Sequence, residues 1–289
     1  MTETVSISGP GLVARIDALG AELVRLQDAA GRDLLWDGDP AFWTGRSPLL
    51  FPMVGRAKDD RITVAGRTYG MGQHGFARTS VFTLLRSDAA SCTWRLEASD
   101  ATRRRYPFAF RLDVTYRIEG ATLHMEAEVT NTDTAVLPAS FGFHPALRWP
   151  LPYGKPRATH DIVFEKEEPA PIRRPVDGLL SAAGFPTPVH ERRLPLSDDL
   201  FEAGALIFDT LASRSLVYGE AIRVDFPHMP HLGIWTKPGA GYVCIEPWQG
   251  YASPEGFDGD FADKPGMVGV APGATETFAM SISVSPPGS

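Results

Sequence analysis

The chain has 289 residues, long for one average domain and ordinary for one large β-sandwich or barrel, so a single domain over 1–289 is expected. Its 28 Lys and Arg against 35 Asp and Glu give a formal net charge of −7, with both signs spread along the sequence. No basic stripe gathers to follow a phosphate backbone, which argues against nucleic acid as a partner.

In chain order, the segment MTETVSISGPGLVARIDALG has no positive start ahead of an apolar run, and no stretch of about 18 residues is free of both charge and glycine. No membrane span is expected, and the two cysteines, Cys92 and Cys244, in no paired spacing, suggest neither a disulfide framework nor a cysteine metal site. A reducing cytoplasm is the expected compartment. Residues 61–71, RITVAGRTYGM, read as two strands about an Ala-Gly turn, and SVFTLLR (80–86), CTWRLEA (92–98) and FRLDVTYRI (110–118) follow closely. In 121–131, Leu123, Met125, Ala127 and Val129 face one side and His124, Glu126 and Glu128 the other, which puts His124 in water. Residues 150–195, rich in proline and charge, are expected to form an elaborated connection. Strand patterns resume at ALIFDTL (205–211), AIRVDF (221–226) and ETFAMSISVS (276–285), and the closing PPGS is expected to fray. Helical periodicity is scarce, and 28 glycines and 25 prolines serve many turns. The fold class is all-β.

Three titratable groups stand among glycine, proline and aromatic residues: His74 in GQHGFAR, His144 in FGFHPALRW and Glu246 in VCIEPWQGY. A residue before proline is held extended, so His144 gains a fixed direction, and its unperturbed pKa lies near neutrality; a core histidine bonded to a carbonyl is the alternative. Alternation in YVCIEPWQGY sets Tyr242, Cys244 and Glu246 on one face. A carboxylate buried there would be costly unless paired and would have a raised pKa; a structural salt bridge is the alternative. Trp36, Trp43, Trp149, Trp235 and Trp248 offer flat faces for sugar rings or fill the core. Arg56 and Arg78 offer forked donors to hydroxyls or a phosphate, or are solvated. His228 and His231 in PHMPH point in undetermined directions and match no metal-ligand cluster.

The ordered set FPMVGR…GQHGFAR (51–78), GFHPAL (142–147), LGIWT (232–236) and CIEPWQG (244–250) resembles the aldose 1-epimerase, or galactose mutarotase-like, superfamily. Having QHGF in place of LHGG, the chain is closer to its LacX-like branch. The resemblance implies a large antiparallel β-sandwich with an open sugar cleft, interconversion of the α and β anomers of an aldose, and no metal, nucleotide or redox cofactor. It makes Glu246 the base, His144 the acid and His74 a polarising histidine, with Arg56, Arg78 and Trp235 at the sugar. The family's binding aspartate has no direct match: Gly204 takes its place, and Asp209 is the nearest substitute, which leaves galactose specificity open. The partner implied is a monosaccharide, free or phosphorylated, and the assembly a monomer or homodimer. The competing readings are a hexose-6-phosphate mutarotase, a sugar-binding regulator without turnover, and a lyase or hydrolase on a related sandwich.

Overall fold

The computed structural model describes residues 3–285; the closing PPGS lies outside the described residues. The larger of its two layers grows from plain alternation. In the strand Phe110–Glu119 the side chains of Phe110, Leu112, Val114, Tyr116 and Ile118 are buried, and in Thr122–Asn131 so are those of Leu123, Met125, Ala127 and Val129. Leu123 pairs across with Ile118 on one side and Ile282 on the other, so neighbouring strands set apolar side chains together on one face. His124 stands partly exposed on the opposite face, as its register requires. Among the described residues these strands belong to an antiparallel sheet of nine, from Thr83–Ser87 at one edge to Arg193–Pro195 at the other.

Two members of that sheet, Asp161–Phe164 and Arg193–Pro195, come from the stretch expected to be only a connection. At four and three residues, these strands are too short for alternation to register against the surrounding proline and charge. The reading of 150–195 is corrected to that extent. The same stretch also carries a small hairpin, Pro175–Val176 with Leu179–Leu180, turned through Asp177 (φ 50°) and Gly178 (φ 82°). Both turn residues take positive φ, as tight hairpins prefer.

The second layer is a six-stranded antiparallel sheet. Its order is Leu206–Phe208, His231–Trp235, Tyr242–Gln249, Phe141–Phe143 and Leu49–Leu50, with Ala146–Arg148 pairing further along Tyr242–Gln249. One face, carrying Phe141, Phe143, Leu147, Phe208, Leu232, Ile234, Val243 and Ile245, joins the nine-stranded sheet in a common core. The layers meet where Phe141 stacks on Phe278 at 5.2 Å and Phe164 packs on Phe208 at 5.5 Å. The architecture is the expected all-β sandwich of large antiparallel sheets. A third sheet, Thr4–Ser8, Leu12–Asp17 and Glu22–Asp28, adds Ile7, Leu12, Ile16, Leu23 and Leu26 to the same core.

The other face of the six-stranded sheet is where chemistry can sit. Trp248 lies flat across it because its cross-strand neighbourhood is glycine: a Cβ on Gly142 would stand 2.6 Å from Trp248 Cδ1, and one on Gly233 would stand 2.4 Å from Cη2. Neither position could carry a larger residue without lifting the indole. Gly233→Ala is therefore expected to cost about 1–3 kcal/mol, the usual range for overpacking, and to tilt Trp248. Denaturant unfolding and tryptophan fluorescence would measure both, and an unchanged midpoint with unchanged emission would contradict the packing account.

Candidate active site

Register brings the two central residues together. Phe141 and Gly142 pair with Gln249 and Trp248, and Ala146 to Arg148 pair with Cys244 to Tyr242; the same register carried through the gap sets His144 opposite Glu246. The gap arises because Pro145 has no N–H to give the ladder, although its carbonyl still accepts from Ile245 N–H at 3.2 Å. Phe141 and Phe143 turn into the core, so His144 must face the other way. Its Nε2 lies 3.0 Å from Glu246 Oε2.

Both groups are buried, at 6% and 2% exposure, and burial opposes charge on each. It pushes the His144 imidazole down to about 3, and the Arg78 guanidinium acts in the same direction. It pushes the Glu246 carboxyl well above the usual carboxylate range, against the pull of the nearby Trp248 indole N–H. A buried charge is tolerated only when paired, so the contact is best described as one neutral unit holding a single proton between Nε2 and Oε2, with a joint titration. His144 Nδ1 is buried without a hydrogen-bond partner.

His74 completes an edge-to-face contact with the His144 ring at 5.8 Å. It sits at φ 64° in the turn that returns GQHGF to the Leu49–Leu50 strand, with its N–H donating to Gly55 O at 2.7 Å. A non-glycine residue held left-handed marks stored strain, which proteins tend to keep at functional positions. Next to it Gly75 is obligatory, because a Cβ there would stand 2.2 Å from Phe51 O. Gly55 N–H donates to His74 Nδ1 at 3.1 Å, and Nε2 faces the Gln73 side-chain amide nitrogen at 3.3 Å. Burial, then the nearness of His144 and Arg78, pushes His74 well below its ordinary value, so it is neutral. Arg78 itself is exposed, and its guanidinium makes one long bond, 3.3 Å to Gln73 O.

Aromatic rings wall the pair. Trp43 lies 5.1 Å from the His144 ring and Trp235 lies 6.2 Å away, edge-on; Trp36 and Tyr242 pack behind them. Trp43 is positioned by the third sheet: Glu22 accepts from the N–H groups of Arg46 and Ser47, and Trp36 Nε1 donates to Trp43 O at 2.8 Å. Trp149 takes no part; it is buried in the main core with the Arg157 guanidinium stacked on it at 3.5 Å.

The other expected residues are placed less centrally. Arg56 donates both forks to Asp60 at 2.7 Å and touches the Asp177–Gly178 turn. Asp209, just beyond the Leu206–Phe208 strand, receives a bond from Arg173 at 3.0 Å. His228 and His231 part company: His228 is exposed at φ 66°, while His231 lies in the sheet opposite Trp248 and accepts Gly250 N–H on Nδ1.

Two features went unseen in the sequence. Lys264, only 2% exposed and pushed down to about 7 by burial, donates to Tyr251 O and fastens the loop after Gln249; nothing in FADKPG signalled it. Cys244 joins the central pair: its Sγ, a ring nitrogen of His144 and a Glu246 oxygen lie within 4.8 Å of one another. The signal was there in Cys-x-Glu on one strand face, but His144 arrives across strands, where linear spacing cannot show it. Of the candidate residues, the structure gathers Glu246, His144, His74, Trp43 and Trp235, with Arg78 close by, and it adds Cys244.

The chain resembles known proteins over nearly its whole length. The profile of the aldose 1-epimerase family matches residues 3–283. The chromosomal and plasmid forms of protein LacX from Lactococcus lactis subsp. lactis are each 29% identical over 296 residues, covering 97% of this chain and 99% of theirs. Among solved structures, a galactose mutarotase related enzyme from Lactobacillus acidophilus superposes with a TM-score of 0.88 at 30% identity, over 98% of this chain and 97% of that one. A galactose mutarotase-like protein from Lactobacillus casei does so with a TM-score of 0.88 at 26% identity, over 98% and 100%. No helix among the described residues is long and apolar enough to cross a membrane. With a sandwich of this shape and a family match over nearly its whole length, the chain belongs to the aldose 1-epimerase family.

Proposed function

We propose that this protein is a mutarotase that interconverts the α and β anomers of a free aldose, with Glu246 and His144 as the proton-transferring pair. The observation that carries this reading is the buried 3.0 Å contact between them. Opening a sugar ring removes one proton from the C1 hydroxyl and adds one to the ring oxygen; closure on the other face of the aldehyde reverses both. The reaction therefore needs one acceptor and one donor and has no net proton demand. A neutral pair with one proton between two atoms supplies that. As carboxylate and imidazolium, Glu246 takes the proton from O1 while His144 gives one to the ring oxygen, and the return transfers restore the pair. His74, neutral, polarises the sugar. Trp43 and Trp235 offer apolar faces to its C–H surfaces, and Asp209, Arg56 and Arg78 are the candidates for holding its hydroxyls.

A phosphorylated hexose is the second reading. Asp60 occupies the fork of Arg56, so phosphate recognition would fall to Arg78, whose guanidinium is nearly free. Polarimetry on fresh solutions of glucose and glucose 6-phosphate separates the two.

Glu246→Gln is expected to abolish anomerisation while sugar binding survives, since the amide preserves the shape and can still accept a bond from His144 but cannot take the O1 proton. Polarimetry with calorimetric binding is the check, and activity within a few-fold of the parent would remove Glu246 from the mechanism.

The two histidines should fail unequally. Loss of a general acid typically costs roughly 10²–10⁴-fold, so His144→Asn should lower kcat by about 10²-fold or more. His74→Asn removes an orienting bond of about 1–3 kcal/mol, equivalent to roughly 5–150-fold. A larger loss at His74 than at His144 would exchange their roles.

Because the proposed transfers run between side chains and sugar, dialysis against a strong chelator should not lower the rate. Loss on chelation with recovery on adding a divalent ion would contradict the mechanism.

A further inference from the structure

We propose that Cys244, His144 and Glu246 form an inhibitory binding site for one thiophilic divalent cation of the zinc class. The three potential ligand atoms, Sγ, a His144 ring nitrogen and a carboxylate oxygen, lie within 4.8 Å of one another, all three residues are buried, and Nε2 is the nitrogen that faces Glu246, at 3.0 Å. Tetrahedral zinc holds sulfur, nitrogen and oxygen at about 2.0–2.3 Å, which spaces the ligands roughly 3.3–3.8 Å apart. Shifts of about an ångström or less in the side chains would close that triangle, leaving the fourth position for water. Cys244 and Glu246 are two apart on one strand, and His144 stands opposite in the same sheet, so the set is held by backbone pairing and not by a mobile loop.

The mixed sulfur, nitrogen and oxygen set selects a borderline-soft ion over magnesium or calcium, which favour oxygen alone. The proton balance closes: the ion takes the place of the proton shared by His144 and Glu246 and of the Cys244 thiol proton, two protons leave, and the site stays neutral with a doubly charged ion bound. Dedicated zinc sites brace each histidine by bonding its second nitrogen. His144 Nδ1 has no such partner, which fits a site that captures the ion from solution and loses it to a chelator. Cys92, the other thiol, lies in the main core and belongs to no such group among the described residues.

The effect on rate rests on the mutarotase reading, but binding does not, so the test has both readouts. Cadmium is titrated into the full chain while thiolate-to-metal charge-transfer absorption and proton release into weak buffer are followed. The expected result is one equivalent bound, a thiolate band, two protons released, and anomerisation lost in step and restored by chelator. Cys244→Ala should abolish the band, and both it and His144→Asn should weaken binding by more than the roughly 10–100-fold typical of losing an outer-shell partner alone. If the band is absent from the parent chain, or persists in Cys244→Ala, the site is overturned. A band and proton release without any sugar turnover would uphold the site and sink the mutarotase reading instead.

Discussion

The 3.0 Å contact between His144 Nε2 and Glu246 Oε2 is the constraint on which the rest of the structure depends. Each group alone would be expensive in that setting, because burial drives the imidazole to lose its proton and the carboxyl to keep one. Together they remain neutral with one proton between them. Removing one member of a buried pair leaves the other uncompensated, typically at about 3–5 kcal/mol, so the pair must be held in register by something stronger than its own attraction. The sheet supplies that: the residues flanking both partners turn the opposite way into the common core, where Phe143, Leu147, Val243 and Ile245 are fully buried.

The surrounding elements trade local ease for position. Glycine at 142 and 233 gives up side-chain packing so that Trp248 can lie flat across the sheet. His74 accepts a left-handed backbone so that its ring meets His144 edge-on and its Nδ1 receives a backbone N–H. Glu22, from a sheet far off in sequence, holds the segment that presents Trp43. Lys264 is buried with its Nζ bonded to main-chain carbonyls near the Tyr251 ring, a setting that pushes it down to about 7 while it ties down the loop beyond the Tyr242–Gln249 strand. Rigid placement of this kind is how a proton-transfer site keeps its groups within reach of a small substrate.

Much of this was legible in the residues. Alternation in 110–131 and in YVCIEPWQGY gave strands and faces directly, because a half-buried strand has to repeat every two residues. Proline after His144 marked that residue as directionally fixed. What the sequence could not carry were relations between distant segments, that Arg173 holds Asp209 and that Cys244 stands beside His144, and the local pairing by which Asp60 occupies the fork of Arg56. The short strands Asp161–Phe164 and Arg193–Pro195 were hidden for a different reason, having fewer residues than a period needs to show itself.

In the proposed anomerisation protons move to and from sugar oxygens, and every C–H bond is left intact. Two-dimensional exchange NMR of an aldose in deuterated water, with a small amount of enzyme, tests it most directly. The prediction is enzyme-dependent cross-peaks linking the α and β anomeric protons, with no deuterium entering at C1 or C2. Absence of enhanced exchange for every aldose and aldose phosphate tried, or deuterium uptake at carbon, would contradict it.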